Sequence, residues 1–120
     1  SQKSMKRINE TIHSWHLNRH SNQTLEHLAA DINPIVRGWM TYYGKFYPTR
    51  LKRFMQTLNG RLARWVMCKF ERYRNRFYPA QEWLAHIAEK EGLIFYHWKC
   101  GVLPRFTNKD KVKSQLIMVK

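Results

Sequence analysis

The stretch LKRFMQTLNGRLARWV, residues 51–66, repeats apolar side chains at intervals of three and four residues. That spacing places them along one side of an α-helix, and it continues without a break across Asn59 and Gly60, although an Asn-Gly pair often forms a turn. We therefore predict one continuous helix here, with Tyr73 as its furthest end. Its apolar face consists of Leu51, Phe54, Met55, Leu58, Leu62, Trp65 and Val66.

The same periodicity predicts four further helices around this one. The first lies within residues 4–17, and the second begins at Thr24, whose hydroxyl can cap it. Asn33 and Pro34 indicate the start of a third helix, because Asn caps well and Pro suits the first turn. The last helix begins at Pro79. Their apolar positions are Met5, Ile8, Ile12 and Trp15; Leu25, Leu28, Ala29 and Ile32; Val36, Trp39, Met40 and Tyr43; and Trp83, Leu84, Ile87 and Ala88.

Strand signals are too few for a sheet, since only the short apolar run at residues 93–98 is typical of a strand or an extended segment. The predicted class is therefore mainly α, a compact helical bundle with a short extended C-terminal segment. Residues 1–106 would form one domain, because a chain of 120 residues is of ordinary single-domain length. Residues 107–120 are polar and basic, and we predict a mobile tail there.

The composition is strongly basic, with 22 Lys and Arg against 8 Asp and Glu and a net charge of +14. A domain with this imbalance repels itself unless a polyanion is nearby, which indicates nucleic acid or an anionic membrane surface. No apolar run approaches the roughly 20 residues of a membrane span, and the helices need one another's apolar faces for burial, which disfavours the membrane. Cys68 and Cys100 provide no disulfide framework, as is typical of a reducing, intracellular compartment.

The positive charge concentrates between Arg50 and Arg76, where nine basic residues accompany a single acid, Glu71. Several of them, including Arg53 and Arg64, fall away from the apolar stripe. A solvated helix face is the ordinary explanation for such a run, but the scarcity of compensating acids favours phosphate binding. Arginine predominates, and its planar guanidinium suits the phosphates and bases of RNA. The candidate RNA contacts are Arg37, Lys45, Arg50, Lys52, Arg53, Arg61, Arg64, Lys69, Arg72, Arg74, Arg76 and Lys99.

The aromatic side chains divide into two groups. Tryptophans on the apolar stripes are better explained by core packing than by base stacking. Tyrosines that lie off the stripes or beside turns are better candidates for stacking on bases. The first group is Trp15, Trp39, Trp65 and Trp83, and the second is Tyr42, Tyr47 and Tyr78.

The block INPIVRGWMTYY, residues 32–43, holds the most specific pattern in the chain. Gly38 falls in the middle of a predicted helix, where glycine costs about 1 kcal/mol relative to alanine. The close approach of another helix or of an RNA backbone would explain it. Arg37, Thr41 and Lys45 follow at intervals of four on the polar side, where they would contact phosphate or water.

This block resembles the pattern lNPiiRGWanYy of the group II intron maturase-specific domain, also called domain X. Residues 83–84 and 93–99 resemble a second family block that often ends in Phe-x-His-Trp, and the long basic helix between the blocks is similar too. The resemblance covers residues 5 to 101, roughly. The motif residues to which it assigns a structural role are Asn33, Pro34, Gly38, Trp39, Tyr43, His97 and Trp98.

The resemblance implies a thumb-like domain that follows the fingers and palm of a reverse transcriptase, binds intron RNA, assists its folding and splicing, and grips the primer–template. The polymerase motif Tyr-x-Asp-Asp is absent from this chain, and the few acids are scattered, so no polymerase metal site is expected. We predict a chain with no catalytic residue and no cofactor. Its implied partners are group II intron RNA, an RNA/DNA primer–template and the rest of an RNA-directed DNA polymerase, in the bacterial cytoplasm or an organelle.

Two alternatives remain open from the residues. One is a DNA-binding helical module of a mobile element, with residues 24–46 as two helices joined by a sharp turn. The other is a small nuclease or nucleotidyl transferase, which would need clustered acids or histidines around a metal. His97 and Cys100 are three residues apart, but one such pair falls short of the four ligands of structural zinc, so no metal site is predicted.

Overall fold

The computed structural model describes residues 2–104. This range is helical and contains no strand, which confirms the mainly α class. The predicted domain end at residue 106 and the predicted mobile tail, residues 107–120, lie outside the described residues. The helices in this range are α1 Gln2–Ser14, α2 Leu25–Tyr43, α3 Pro48–Lys69, α4 Phe77–Lys90 and α5 Tyr96–Lys99, with 3-10 turns at Leu17–Arg19 and Glu71–Tyr73.

The long helix α3 is the element on which the bundle is built, because α1, α2, α4 and both 3-10 turns pack against it. It runs unbroken through Asn59 and Gly60, as the apolar register predicts, and ends at Lys69, short of Tyr73. Pro48 occupies its first turn, where the missing N–H costs nothing. The buried residues of α3 are Leu51, Met55, Leu58, Asn59, Leu62, Ala63, Trp65 and Val66.

The prediction of two helices meeting at Asn33 and Pro34 is wrong, because α2 continues through both residues. Thr24 caps the helix as predicted, with its Oγ1 accepting a hydrogen bond of 3.1 Å from a backbone N–H three residues later. Pro34 removes one hydrogen bond from the helix interior. The apolar stripe nevertheless continues across it, with Ile32 and Val36 both buried, and this tertiary burial outweighs the lost bond.

The continuity of α2 also bears on the DNA-binding alternative. That alternative required a sharp turn between two helices within residues 24–46. The only break in this range comes after Tyr43, near its C-terminal end, so the chain has no helix-turn-helix there.

The extended segment predicted at residues 93–98 is instead a bend followed by the short helix α5. An extended segment needs a neighbouring strand to satisfy its backbone groups, and no strand exists among residues 2–104. A helical turn satisfies some of them locally, as in the bond of 3.1 Å from the Lys99 N–H to the Phe95 carbonyl.

Gly101 ends α5 in a left-handed conformation, with φ of 97°. Its N–H donates to the carbonyl of Trp98, and the N–H of Val102 donates to the carbonyl of His97, both at 2.9 Å. This pair of bonds is the glycine-terminated helix end known as a Schellman motif. It turns the chain back, so that residue 102 lies against α3.

Asn33 of α2 is one of two asparagines that fasten this C-terminal segment to the bundle. Its Nδ2 donates to the carbonyl of Ile94 at 2.9 Å, and its Oδ1 accepts from the N–H of Tyr96 at 3.0 Å. The second bond satisfies a backbone donor at the start of α5, as a capping side chain does. The family motif therefore uses its asparagine to hold a segment 61 residues away.

Asn59 of α3 is the second asparagine, and it is completely buried. Its Oδ1 accepts from Nε2 of His97 at 2.7 Å and from Nε1 of Trp98 at 2.8 Å. Its Nδ2 donates at 3.2 Å to the carbonyl of Val102 and to Oε1 of Gln56. An indole N–H can only donate, so this contact determines which end of the amide faces Trp98 and makes Nε2 the protonated nitrogen of His97.

The tryptophans on the apolar stripes pack in the core, as predicted. Trp65 is buried, and Trp15, Trp39 and Trp83 are half-buried against the core. Trp15 and Trp39 stack with ring centroids 5.7 Å apart and planes inclined by 19°, which joins the end of α1 to α2.

Candidate nucleic-acid interface

The outward side of α3 carries a row of cations opposite the buried side of the helix. At about 1.5 Å per residue, the row from Arg50 to Arg64 is about 21 Å long, which spans several phosphates of a nucleic-acid strand. The row consists of Arg50, Lys52, Arg53 and Arg64, which are exposed, and Arg61, which is half-buried.

Three adjoining hollows follow this row, and together we call them the α3 groove. The first, of about 460 Å³, includes Arg53 and Thr57, and the second, of about 370 Å³, runs from Thr57 past Gly60 to Arg64. The third, of about 410 Å³, shares Arg61 and Arg64 with the second. Because neighbouring hollows share lining residues, they form one continuous concave surface along α3.

The third hollow brings together basic side chains from three parts of the chain, α1, the first 3-10 turn and α3. Nη2 of Arg61 lies 3.0 Å from Nδ1 of His13, and Arg19 and Arg64 line the same hollow. Nε of Arg61 is buried and has no partner among the described residues. The charge of Arg19, followed by burial, lowers the pKa of His16 below its ordinary value, which reflects a local excess of positive charge.

The cations of the α3 groove have no acidic partners in the described part of the chain. The close contacts between a basic and an acidic side chain found within residues 2–104 join His86 to Glu82 and to Glu89, all on α4. Unpaired cations along a concave surface attract a polyanion, and its binding would release counterions.

The turn after α3 extends this surface. The guanidinium of Arg64 lies 5.9 Å from the ring centroid of Phe77, where α4 begins. Asn75 has a left-handed backbone, with φ of 59°, a conformation that asparagine tolerates in turns. The predicted contacts Arg72, Arg74 and Arg76 are all exposed on this turn.

Lys69 is a predicted contact whose ammonium group is already engaged. Its Nζ donates to the carbonyls of Ser21 and Gln23, at 3.1 and 2.9 Å, and lies 5.2 Å from the ring centroid of Trp65. Nε1 of Trp65 donates in turn to the carbonyl of His20 at 2.8 Å. These bonds hold the loop before α2 against α3, so Lys69 supports the fold beneath the groove.

Arg37 and Lys45 belong to a second surface, a hollow of about 640 Å³ formed by α2 and the turn that follows it, which we call the α2 groove. It shares no lining residue with the α3 groove. Tyr42 is 69% exposed and Phe46 is 73% exposed. Tyr42 was predicted as a stacking candidate, whereas Phe46 was missed because it follows the motif block. The lining residues are Pro34, Arg37, Gly38, Thr41, Tyr42, Lys45 and Phe46.

The remaining predicted contacts do not line either groove. Lys99 is exposed on α5, and the other stacking candidates, Tyr47 and Tyr78, are exposed next to α3 and in α4. The ring of Tyr78 nevertheless lies 5.6 Å from that of Phe77, which lines the second hollow, and Tyr47 precedes the first residue of α3.

The family-motif residues of α2 divide between the core and the surface. Trp39 and Tyr43 are half-buried against the core, and Pro34 and Gly38 are exposed. Asn33 is half-buried and holds the C-terminal segment. The block therefore contains both residues that pack against the core and residues that line the α2 groove.

His97 and Trp98 are buried beside Asn59. Burial lowers the pKa of His97 to about 3, so its imidazole is neutral at physiological pH. Its Nδ1 is buried without a partner among the described residues. A neutral imidazole enclosed in the core supports the packing of α5 and is not placed to touch RNA.

No group of three or more His, Cys, Asp or Glu side chains in residues 2–104 is arranged to hold a metal ion. Cys68 and Cys100 are exposed free thiols. No helix in the same range is long and apolar enough to cross a membrane.

The chain belongs to the family of group II intron maturase-specific domains, whose model matches residues 5–83. The match spans α1 to α3 and the first half of α4, and therefore both grooves, but it ends before the segment at residues 93–99. No curated protein and no solved structure matches the chain. Membership implies a maturase function in group II intron splicing, and the family domain is distinct from a catalytic polymerase domain.

Proposed function

We propose that this chain binds structured group II intron RNA through the α3 groove and thereby assists the folding and splicing of the intron. The observation that carries the proposal is the set of cations on α3 that line the α3 groove, Lys52, Arg53, Arg61 and Arg64, none of which has an acidic partner in residues 2–104. The ribozyme would supply the splicing chemistry, and the protein would stabilise its compact form by neutralising phosphates.

The chemistry of the row favours RNA recognised by shape. Arg50, Arg53, Arg61 and Arg64 present forked guanidiniums, which bind phosphate through paired hydrogen bonds and can stack on bases. Structured RNA offers closely spaced phosphates and unpaired bases to such groups. Arg72, Arg74 and Arg76 would lengthen the contact beyond the end of α3.

We further propose that the chain is the thumb of a reverse transcriptase, in which it follows the palm and also touches the RNA/DNA primer–template. The support for this step is the family resemblance together with the helical bundle. Intron RNA and primer–template are both polyanions with A-like helical features, so one basic surface can serve both.

The double variant Arg53→Glu with Arg64→Glu tests the α3 groove. Both side chains are exposed, so the fold should survive. We expect affinity for group II intron RNA to fall by at least about tenfold at moderate salt, and the slope of log affinity against log salt to become shallower by about 2, because two phosphate contacts are lost. The measurement is filter binding over a salt series, with an unrelated structured RNA of equal length for comparison.

The matched control is Lys3→Glu with Lys90→Glu. It changes the net charge equally at two exposed positions that line neither groove. A specific groove predicts a much smaller loss of affinity in the control. Equal losses in the two double variants would mean that net charge alone governs binding, and the α3 groove would be rejected as the site.

A further inference from the structure

The α2 groove contains a glycine that nothing inside the protein requires. Gly38 lies in the interior of α2, and a Cβ atom built on it would meet no atom within 4 Å. Glycine in the interior of a helix destabilises the helix relative to alanine, so helices tend to avoid glycine at such positions. Neither backbone conformation nor internal packing explains Gly38, and the close approach of another molecule to this side of the helix would explain it.

Two aromatic side chains near Gly38 are open to solvent. Tyr42 lies one turn further along the same side of α2, and Phe46 lies in the turn that follows the helix; they are 69% and 73% exposed, and both line the α2 groove. The ring of Tyr43 meets that of Tyr42 edge to face, with centroids 4.8 Å apart and an angle of 82°. Since Tyr43 packs against the core, this contact restrains the Tyr42 ring.

Two cations flank the aromatic surface. Arg37 on α2 and Lys45 in the turn after it are both exposed and line the same hollow. Neither forms an ion pair within the described residues. An apolar partner helix would leave these charges without partners, whereas a nucleic acid would present phosphates to both.

We propose that the α2 groove binds an unpaired nucleotide of RNA, with its base stacked on Tyr42 and Phe46. The adjoining phosphates contact Arg37 and Lys45, and the sugar–phosphate backbone passes over Gly38, where a methyl group would stand in its way. The inference rests on the proposed RNA-binding function, but it uses residues that the α3 groove does not contain. The α3 groove thus contributes affinity for any structured RNA, and the α2 groove selects RNA with an exposed base.

Two hairpin RNAs with the same stem test this division. One carries a single unpaired 2-aminopurine nucleotide, and the other carries it base-paired. We expect the wild-type chain to bind the hairpin with the unpaired nucleotide about tenfold more tightly, because the stacking of one base on an aromatic ring contributes roughly that much to the affinity. Binding should also quench the fluorescence of the unpaired 2-aminopurine. Tyr42→Leu should abolish both the preference and the quenching, whereas Tyr42→Phe should retain them.

Gly38→Ala provides a variant that cannot fail by unfolding. Its thermal midpoint should rise, because alanine is the better helix former and the site is free of internal clashes. Its preference for the unpaired nucleotide should nevertheless fall severalfold. As a cross-control, Arg53→Glu with Arg64→Glu should weaken binding of both hairpins equally and leave the quenching at saturation intact.

The outcomes separate the two proposals. An unchanged preference in Tyr42→Leu, or equal wild-type affinity for both hairpins, overturns the nucleotide site and leaves the α2 groove as a surface for a protein partner. Absence of binding to either hairpin, and to intron RNA, overturns the proposed function itself.

Discussion

Asn59 forms hydrogen bonds with four polar groups, three of which are buried in the core. Its amide joins His97, Trp98 and Val102 of the C-terminal segment to Gln56 of its own helix. Each buried donor or acceptor left without a partner costs about 1–3 kcal/mol, so Asn59 stabilises the attachment of the C-terminal segment, together with Asn33 of α2. Phe95 and Trp98, both buried, then complete the core over α3.

The burial of His97 predicts that the stability of the fold depends on pH. Its pKa is about 3 in the folded chain, against an ordinary value of 6.5 when unfolded. Between these two pKa values the unfolded chain binds more protons than the folded chain. The stability due to neutral His97 is therefore fully present above about pH 6.5 and is lost as the pH falls towards 3. The loss is at most about 1.4 kcal/mol per pH unit.

The variant His97→Gln isolates this effect, since glutamine can still donate to Asn59 and does not titrate. We expect the unfolding free energy of the wild type, minus that of His97→Gln, to decrease steadily between about pH 7 and pH 5. Urea denaturation at each pH provides the measurement. A difference that stays constant with pH would contradict a buried, neutral His97.

The helix α2 is held together by its tertiary contacts in spite of Pro34. Restoring an N–H at this position with Pro34→Ala should recover one helical hydrogen bond and relieve the clash of the ring with the preceding turn. We expect the unfolding free energy to rise by about 1–2 kcal/mol, less than the full cost of an interior proline because the unfolded chain also gains freedom.

Asn33→Ala, at the position next to Pro34, is the comparison variant, and it should change the unfolding free energy in the opposite direction. It removes the bonds to Ile94 and Tyr96, so the unfolding free energy should fall by about 1–3 kcal/mol. Chemical denaturation of both variants tests the pair. If Pro34→Ala also lowered the unfolding free energy, the packing of the Pro34 ring would have to stabilise the fold by more than the missing hydrogen bond destabilises α2.

The loop before α2 is attached to α3 by Lys69, and this attachment distinguishes Lys69 from the other predicted RNA contacts. Lys69→Met keeps an unbranched stem near Trp65 but loses the bonds to Ser21 and Gln23. We expect a loss of about 1–2 kcal/mol in unfolding free energy and an unchanged salt dependence of RNA binding.

Arg64→Gln should give the converse result. The residue is exposed, so its loss should leave stability within about 0.5 kcal/mol of wild type while the salt slope becomes shallower by about 1. The two variants are compared by urea denaturation and by RNA binding over a salt series. A shallower slope in Lys69→Met would place its ammonium group on the RNA.

In residues 2–104, the apolar side chains form the core and the basic side chains lie on the surface, with few acidic side chains among them. The core is built around α3, and the cations occupy the outward faces of α2, α3 and the turn that follows. With a net charge of +14, the folded chain repels itself, and a bound polyanion would relieve that repulsion. RNA binding should therefore raise the thermal stability of the chain as well as organise the RNA.

The helices α1, α3 and α4, the start of α2, the basic row on α3 and the family block could be predicted from the sequence, because they depend on local patterns. Apolar residues repeating with the pitch of a helix indicated α1, α3 and α4, and Thr24 indicated the start of α2. Arg53 and Arg64 fell outside the apolar stripe, so their exposure followed from the same spacing.

Other features depend on residues far apart in the chain, and only packing brings these together. The burial of Ile32 and Val36 against other elements carries α2 through Pro34, where local rules predicted a break. Asn33 and Asn59 find their partners in the C-terminal segment 38 to 63 residues away. Packing likewise engages Lys69 with a distant loop and divides the remaining cations between two grooves, because side-chain spacing defines a helix face but not the surface that the face will meet.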